Sequence, residues 1–188
     1  MPVKGIVFNL LEQVVTDVHG EDAWDQILES AGQGGAYTAV GSYPDERFMA
    51  LVAAACDLLA LEPDDLVRWF GKQAMPLFAA RYPSFFEGHE STRSFVLTLN
   101  AVIHPEVRKL FPGADVPNFH CASPDEKTIE LGYVSPRKLC SFAEGLIEGA
   151  AAHFRETVTM RQTSCMKRGD DRCVLVCSFA PTSATTAA

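Results

Sequence analysis

Apolar residues recur at the spacing of an amphipathic helix through most of the first 111 residues. Gly20 ends the first of these patterns, and the glycines at 32–35 end the second. In the last pattern, His104 and Pro105 interrupt the apolar stripe at its centre. The predicted helices cover 5–18, 21–31, 47–62 behind a start signal at 42–45, a segment that begins at Pro63 and bends at Pro76, and 94–111.

The pattern changes after Pro112 from helical to strand-like. Ser135 and Pro136 predict the N-cap and first turn of a long helix that ends near Phe154. The Arg-Gly-Asp-Asp segment at 168–171 is typical of a hairpin turn. The predicted strands cover 119–122, 127–134, 157–164 and 172–179.

These elements predict an α+β chain. We expect one domain over residues 1–180, with a helical part over about 1–111 and an α/β part over about 112–180. The α/β part holds a four-stranded antiparallel sheet and the long helix. The short polar segment 181–188 is predicted to be a disordered tail.

His104 lies among apolar neighbours, where carrying a proton is unfavourable. A neutral imidazole needs a partner for its free lone pair, and a metal ion is one such partner. Pro105 lacks an N–H and disfavours helical geometry at the residue before it, so the helix is predicted to kink or restart at His104. From this segment alone, a hydrogen-bonded core histidine and a metal ligand both stay open.

Charge and composition exclude several classes of protein. The net charge of −8 argues against nucleic-acid binding. No apolar run reaches the roughly 18 residues of a membrane span, and the N-terminus begins an amphipathic pattern without an export signal. We therefore expect a cytoplasmic protein whose six cysteines are thiols or metal ligands rather than disulfides.

A second group of polar residues follows the predicted strand 127–134. Tyr133 and Ser135 point to the same face of an extended chain, and Arg137 comes one helical position beyond the predicted cap. Two hydroxyls and a guanidinium fork form a site for a carboxylate or a phosphate. The alternative is structural, with Ser135 capping the helix, Tyr133 packing in the core and Arg137 solvated.

The segment YVSPR follows HPEVRKLF, with KGIVFNLLEQVV at the N-terminus and FAEGLIEGAAAHF after the motif. Over nearly the whole chain, this combination resembles the haem nitric-oxide/oxygen binding (H-NOX) family, which is similar to the haem domain of soluble guanylate cyclase. The resemblance implies an H-NOX-like fold and a b-type haem. It also implies that His104 is the proximal iron ligand and that Tyr133, Ser135 and Arg137 hold the haem propionates.

The resemblance also suggests which gas is bound. Where oxygen-binding members carry a distal tyrosine, seven residues after the motif serine, this chain has Phe142. Bound O₂ gains from a hydrogen-bond donor that a phenyl ring does not offer, whereas NO and CO depend on one far less. This implies a nitric oxide sensor that binds O₂ poorly, with CO as a further ligand, although Tyr43 or Tyr82 stays open as a donor. Pro117 resembles the family's proline that distorts the macrocycle. The candidate haem-pocket residues, each of which could also be ordinary core, are Val7, Phe8, Leu11, Trp69, Phe70, Phe78, Pro117, Leu139, Phe142 and Leu146.

Three cysteines form a candidate zinc site. Cys165 and Cys173 flank the predicted hairpin, and Cys140 lies early in the long helix. A subset of the family has such a site, completed by a histidine where this chain has Gln162, a poor zinc ligand. Either Cys177 or a water completes the site, or it is empty and the thiols act in redox sensing. The remaining alternative is that the cysteines are small buried hydrophobes.

Together these features predict a haem-based sensor that signals nitric oxide binding to a separate effector protein. The effector is expected to be a separate protein because no effector domain is predicted in this sequence, and the resemblance to bacterial members of the family implies a histidine kinase or a cyclic-di-GMP enzyme. We expect no enzymatic activity, since a haem with one histidine ligand and no distal acid–base residue lacks the groups for peroxidase-type chemistry. The alternative is a cysteine- or zinc-based redox sensor of the same fold that works without haem.

Overall fold

A computed structural model describes residues 2–182 of the chain. The predicted tail therefore lies outside the described residues from position 183 onward, while Pro181 ends a strand. Within the described part, no helix is both long and apolar enough to cross a membrane. The elements are β1 (Pro2–Lys4), α1 (Gly5–His19), α2 (Glu21–Ser30), β2 (Ser42–Pro44), α3 (Asp45–Leu59), α4 (Pro63–Arg81), α5 (Thr92–Leu97), α6 (His104–Leu110), β3 (Asn118–Ala122), β4 (Thr128–Val134), α7 (Cys140–His153), β5 (Glu156–Ser164) and β6 (Cys173–Pro181).

The predicted α+β class and its four-stranded antiparallel sheet are confirmed. The strand order is β3-β4-β6-β5, with every neighbouring pair antiparallel. Cys173, Leu175 and Cys177 are the most deeply buried residues of β6, and they share one face of the sheet because side chains alternate along a strand. α7 packs in one core with these residues through its own buried apolar side chains, such as Ile147.

The small sheet formed by β1 and β2 was not predicted. Val3 pairs with Tyr43 in an antiparallel register. Each strand has only three residues, which is too short for an alternating pattern to stand out in the sequence. This pairing places the N-terminus beside the start of α3.

The described residues form two apolar cores. The first is formed mainly by α1 to α4, and the second by α7, the four-stranded sheet and the segment around α5. α4 contributes to both cores, through Phe70 to the first and Met75 to the second. Val107 of α6 packs against both cores. The two parts of the chain therefore meet along α4 and α6.

α4 and α7 cross at very close range. A Cβ added to Gly145 would lie 1.9 Å from the carbonyl oxygen of Arg68, which leaves no room for any side chain. The guanidinium of Arg68 bonds to Glu144 at 3.0 Å and also to Glu148. These two glutamates therefore form a polar bridge between the two helices.

As predicted, a new helical segment begins at His104, but the expectation that Pro105 would keep His104 out of helical geometry is wrong, since its φ is −65° and its ψ is −37°. Residues Leu99–Ile103 form a turn of π-helix, and the N–H of His104 donates to the carbonyl of Leu99, five residues earlier. α6 then begins at His104 with Pro105 in its first turn, where a missing N–H costs little. α6 has no fully buried residue, so it is held less firmly than the longer helices.

The predicted start of the long helix at Ser135 is wrong. α7 begins at Cys140, and the preceding residues form a turn closed by a 3.0 Å bond from the Lys138 N–H to the Ser135 carbonyl. Ser135 Oγ accepts the N–H of Arg137 at 3.3 Å, so this serine supports a local turn instead of a helix end. Lys138 then takes a left-handed conformation with φ +52°, which redirects the chain into α7.

Candidate functional site

A cavity of about 300 Å³ lies where the two cores meet. Its lining is almost wholly apolar, and His104 and the segment from Tyr133 to Arg137 supply polar groups to it. Six of the ten predicted pocket residues line the cavity: Val7, Phe78, Pro117, Leu139, Phe142 and Leu146.

The other four predicted pocket residues do not line the cavity. Phe8 and Leu11 lie on the side of α1 that packs in the helical core, where the ring of Phe8 stacks on Tyr37 at 4.3 Å. Trp69 and Phe70 lie off the stripe of α4 that lines the cavity, which consists of Val67, Met75 and Phe78. Sequence spacing showed that these residues are apolar but not which side of each helix faces the cavity.

His104 lines the cavity, and its buried Nδ1 has no hydrogen-bond partner within residues 2–182. Its ring stacks near Phe119, with 5.6 Å between the centroids. Burial and, to a smaller extent, the positive charge of Arg108 lower the pKa of His104 to about 4, and a hydrogen bond with the backbone of Pro117 opposes this shift. The imidazole is therefore neutral at pH 7 and has a lone pair available, as a metal ligand requires.

Tyr133 and Ser135 also line the cavity and are almost fully buried. The Tyr133 hydroxyl accepts the N–H of Leu139 at 3.1 Å. Burial raises the pKa of Tyr133, while its hydrogen bond with Ser135 lowers it. These two hydroxyls provide uncharged donors at the edge of an apolar space.

Arg137 is held in place by acceptors from three segments. Its Nε donates to Asp45 Oδ1 at 2.9 Å, and its two Nη atoms donate to the carbonyls of Asp115 and Pro2, each at 2.7 Å. The side chain is only 14% exposed, so the interpretation of a solvated arginine is wrong. Sequence reasoning missed Asp45 and Asp115, which carried no signal beyond a helix start and a loop.

Phe142 faces the cavity from α7, and its ring stacks on Phe70 at 5.2 Å. It offers no hydrogen-bond donor to a ligand in the cavity. Of the two alternative donors, Tyr82 lines the cavity and Tyr43 does not. The hydroxyl of Tyr43 instead accepts the N–H of Thr38 at 2.8 Å.

The three cysteines of the candidate zinc site do converge. The sulfur atoms of Cys140, Cys165 and Cys173 lie within 4.8 Å of one another, and all three residues are buried. The N–H of Met166 donates to Cys173 Sγ at 3.3 Å. Cys177 is buried on the same strand but is not a member of this group.

The pKa values of the buried thiols shift in different directions. Burial raises the pKa of Cys173 and, together with Glu144 and Cys121, brings that of Cys177 to about 12. Burial acts in the same sense on Cys165, but backbone N–H groups of the 165–168 turn and the neighbouring thiols make the net shift of its pKa downward. Backbone N–H groups that point at sulfur favour the thiolate, the form that binds metal.

Comparisons with known proteins agree with this arrangement. The profile of the family described as Haem-NO-binding (HNOB) matches residues 4–162. The chain belongs to the haem-NO-binding (H-NOX) family. This membership confirms the resemblance seen in the sequence, and H-NOX domains are haem-based gas-sensing modules.

Solved H-NOX structures show the same fold. The crystal structure of an H-NOX protein from S. oneidensis in the Fe(II)NO state is 31% identical, covers 95% of this chain and 99% of its own, and has a TM-score of 0.89. The NMR structure of an H-NOX domain from Shewanella oneidensis in the Fe(II)CO state has the same identity and coverage and a TM-score of 0.86. An unliganded Fe(II) H-NOX protein from K. algicida is 21% identical with a TM-score of 0.85 over 98% of this chain and 100% of its own, which supports the fold alone.

Proposed function

We propose that this H-NOX chain is a haem-based nitric oxide sensor of the cytoplasm that contains a b-type haem. The observation that carries the proposal is a neutral His104 in a largely apolar cavity, whose buried Nδ1 has no hydrogen-bond partner among the described residues. His104 would hold the iron, while Tyr133, Ser135 and Arg137 would hold the two propionates. An apolar ring with two carboxylates and one free axial position matches these residues.

When bound, the haem supplies an iron atom that takes a diatomic gas. This chain's residues determine which gas is held. Phe142 offers no hydrogen-bond donor, so O₂ is bound poorly, whereas NO and CO do not depend on one. Phe78 and Leu146 complete an apolar surround that excludes water.

The same residues suggest how gas binding leads to a signal. α6 is joined to α5 through a π-helical turn and has no fully buried residue. If gas binding weakened the attachment of His104 to the iron, α6 would be free to shift relative to the two cores that Val107 contacts. The shifted surface would be recognised by a separate effector, such as a histidine kinase or a cyclic-di-GMP enzyme.

Substitution of His104 tests the iron ligand. His104→Gly should bind haem weakly, and added imidazole should restore the Soret absorption of the parent. His120→Ala, which removes an exposed imidazole on β3, is the matched control. A His104→Gly protein with the spectrum and haem content of the parent, without imidazole, would refute the assignment.

Gas titration tests the selectivity and the signal. The ferrous protein should form stable NO and CO spectra and no stable O₂ spectrum in air. The spectrum after NO addition should show loss of the imidazole ligand. A persistent spectrum of haem bound by both NO and imidazole would contradict this loss of the imidazole ligand.

The convergence of Cys140, Cys165 and Cys173 favours a second, zinc-binding function. Zinc accepts thiolate ligands in tetrahedral sites, and here a water would complete the set because Cys177 lies outside the group. Purified protein should contain about one zinc per chain, and Cys165→Ser should lose it, while Cys56→Ser should retain it. A protein that binds zinc but stays colourless after haem addition would instead favour the sensor that works without haem.

A further inference from the structure

The cysteine cluster, Cys140, Cys165 and Cys173, is linked to the proposed haem clamp through Tyr133. In the β4–β6 ladder, Tyr133 lies directly opposite Cys173. The N–H of Leu139, the residue before Cys140, donates to the Tyr133 hydroxyl at 3.1 Å. Tyr133 is therefore tied to one cluster cysteine by strand pairing and to the segment that holds another by its hydroxyl.

The Tyr133 hydroxyl has a defined direction in this arrangement. The residue is 3% exposed, so few alternative partners reach it. Because its oxygen accepts the Leu139 N–H, the hydroxyl proton is left to donate elsewhere, towards Ser135 or a carboxylate in the cavity. Movement of Leu139 would remove this constraint.

The position of Leu139 depends on the start of α7. Leu139 is the N-cap of α7, and no side chain caps this helix end. Cys140 Sγ lies 4.0 Å from Cys165 Sγ on the hairpin, and this cluster contact ties the first turn of α7 to the sheet. The attachment is weak while the sulfurs are thiols, because a thiol is a poor hydrogen-bonding group, and strong when a cation joins all three thiolates.

Gln162 gives a second indication that the cluster is a binding site with an open position. Its side-chain amide nitrogen is buried and has no hydrogen-bond partner in the part of the chain that the structure describes. Gln162 pairs with Leu175, two residues from Cys173 on β6, so strand alternation places it on the face of the sheet that carries the cluster. A buried donor without a partner is costly, and a water on a bound cation would satisfy it.

We propose that occupancy of the cysteine cluster by a thiophilic divalent cation sets how firmly this chain holds the haem carboxylates, with Tyr133 as the positioning residue. The inference rests on the proposed function of both sites. With the cation bound, Cys140 fixes Leu139 and thus the Tyr133 hydroxyl. Without it, the start of α7 loosens and the hydroxyl loses its fixed orientation.

The test measures haem transfer to apomyoglobin from haem-loaded protein with zinc and after chelation. Removal of zinc should accelerate haem loss about tenfold, the effect of losing one hydrogen bond to a charged group. In Tyr133→Phe, haem loss should already be fast and should not respond to zinc. Cys121→Ser, which removes an exposed thiol on β3, should behave like the parent.

Two results would overturn the inference: equal haem loss with and without zinc in the parent, or the same zinc effect in Tyr133→Phe as in the parent. A protein that takes up no haem would defeat the proposed function as well, whereas normal uptake without a zinc effect would defeat only this inference. Circular dichroism checks that the chelated protein stays folded. If the chelated protein unfolds, Gln162→His is compared with the parent at limiting zinc instead. The added histidine should strengthen zinc binding, so the variant should lose haem more slowly than the parent.

Discussion

His104 should make the stability of the haem-free protein depend on pH below neutrality. Its pKa falls from 6.5 to about 4 on folding. The main cause is burial and the smaller one is the nearby charge of Arg108, while a hydrogen bond with the backbone of Pro117 opposes the shift. As pH falls through 6.5, the unfolded chain takes up a proton that the folded chain refuses until about pH 4. The contribution of the neutral His104 to the free energy of unfolding is therefore fully present above pH 6.5 and is lost as the pH falls towards 4. A shift of about 2.5 pH units corresponds to up to about 3 kcal/mol.

Urea unfolding from pH 7 to pH 4, followed by the fluorescence of Trp24 and Trp69, measures this effect. His104→Leu removes the titrating group, so the stability gained by the variant over the parent should grow by up to about 3 kcal/mol as pH falls. Val107→Ala, which removes apolar contacts from the same helix, should lower stability by a similar amount at every pH. If the parent and His104→Leu lose stability in parallel, the imidazole is not a buried neutral base and the argument for a metal ligand loses its physical support.

Three further substitutions test other parts of the structure. Gly145→Ala should lower the free energy of unfolding by about 2 kcal/mol or more, because its Cβ would meet the Arg68 carbonyl at 1.9 Å. The control Gly34→Ala should change the free energy of unfolding little, because open space surrounds Gly34. Equal losses of stability for the two variants in urea titrations would contradict the tight crossing of α4 and α7. Phe142→Tyr should raise O₂ affinity about tenfold or more by supplying a donor, visible as a stable O₂ spectrum in air. No gain in O₂ binding would show that position 142 does not face the gas. Arg137→Lys should speed haem transfer to apomyoglobin about tenfold, because an ammonium cannot reproduce the planar fork that contacts three segments, and an unchanged rate would remove Arg137 from the clamp.

The sequence alone determined the class of fold and the chemistry of the candidate site. The helical and strand periods report which residues are buried, so the main helices and the four-stranded sheet were predictable, whereas the three-residue strands β1 and β2 were not. Pro105 acts through its own missing N–H, so the helix restart at His104 was predictable too. The Tyr-x-Ser-x-Arg motif and the histidine before it identified the family because residue identity carries that information directly.

Only the tertiary structure decided which groups meet. The partners of Arg137 come from Pro2, Asp45 and Asp115, which are distant in sequence and follow no local period. Ser135 resembled a helix cap in sequence, but its hydroxyl stabilises a turn and the helix begins five residues later. The convergence of three cysteines and the exclusion of Cys177 depend on strand register and on the start of α7. Such contacts are fixed when the two cores pack together, and packing is a property of the whole chain rather than of any one segment.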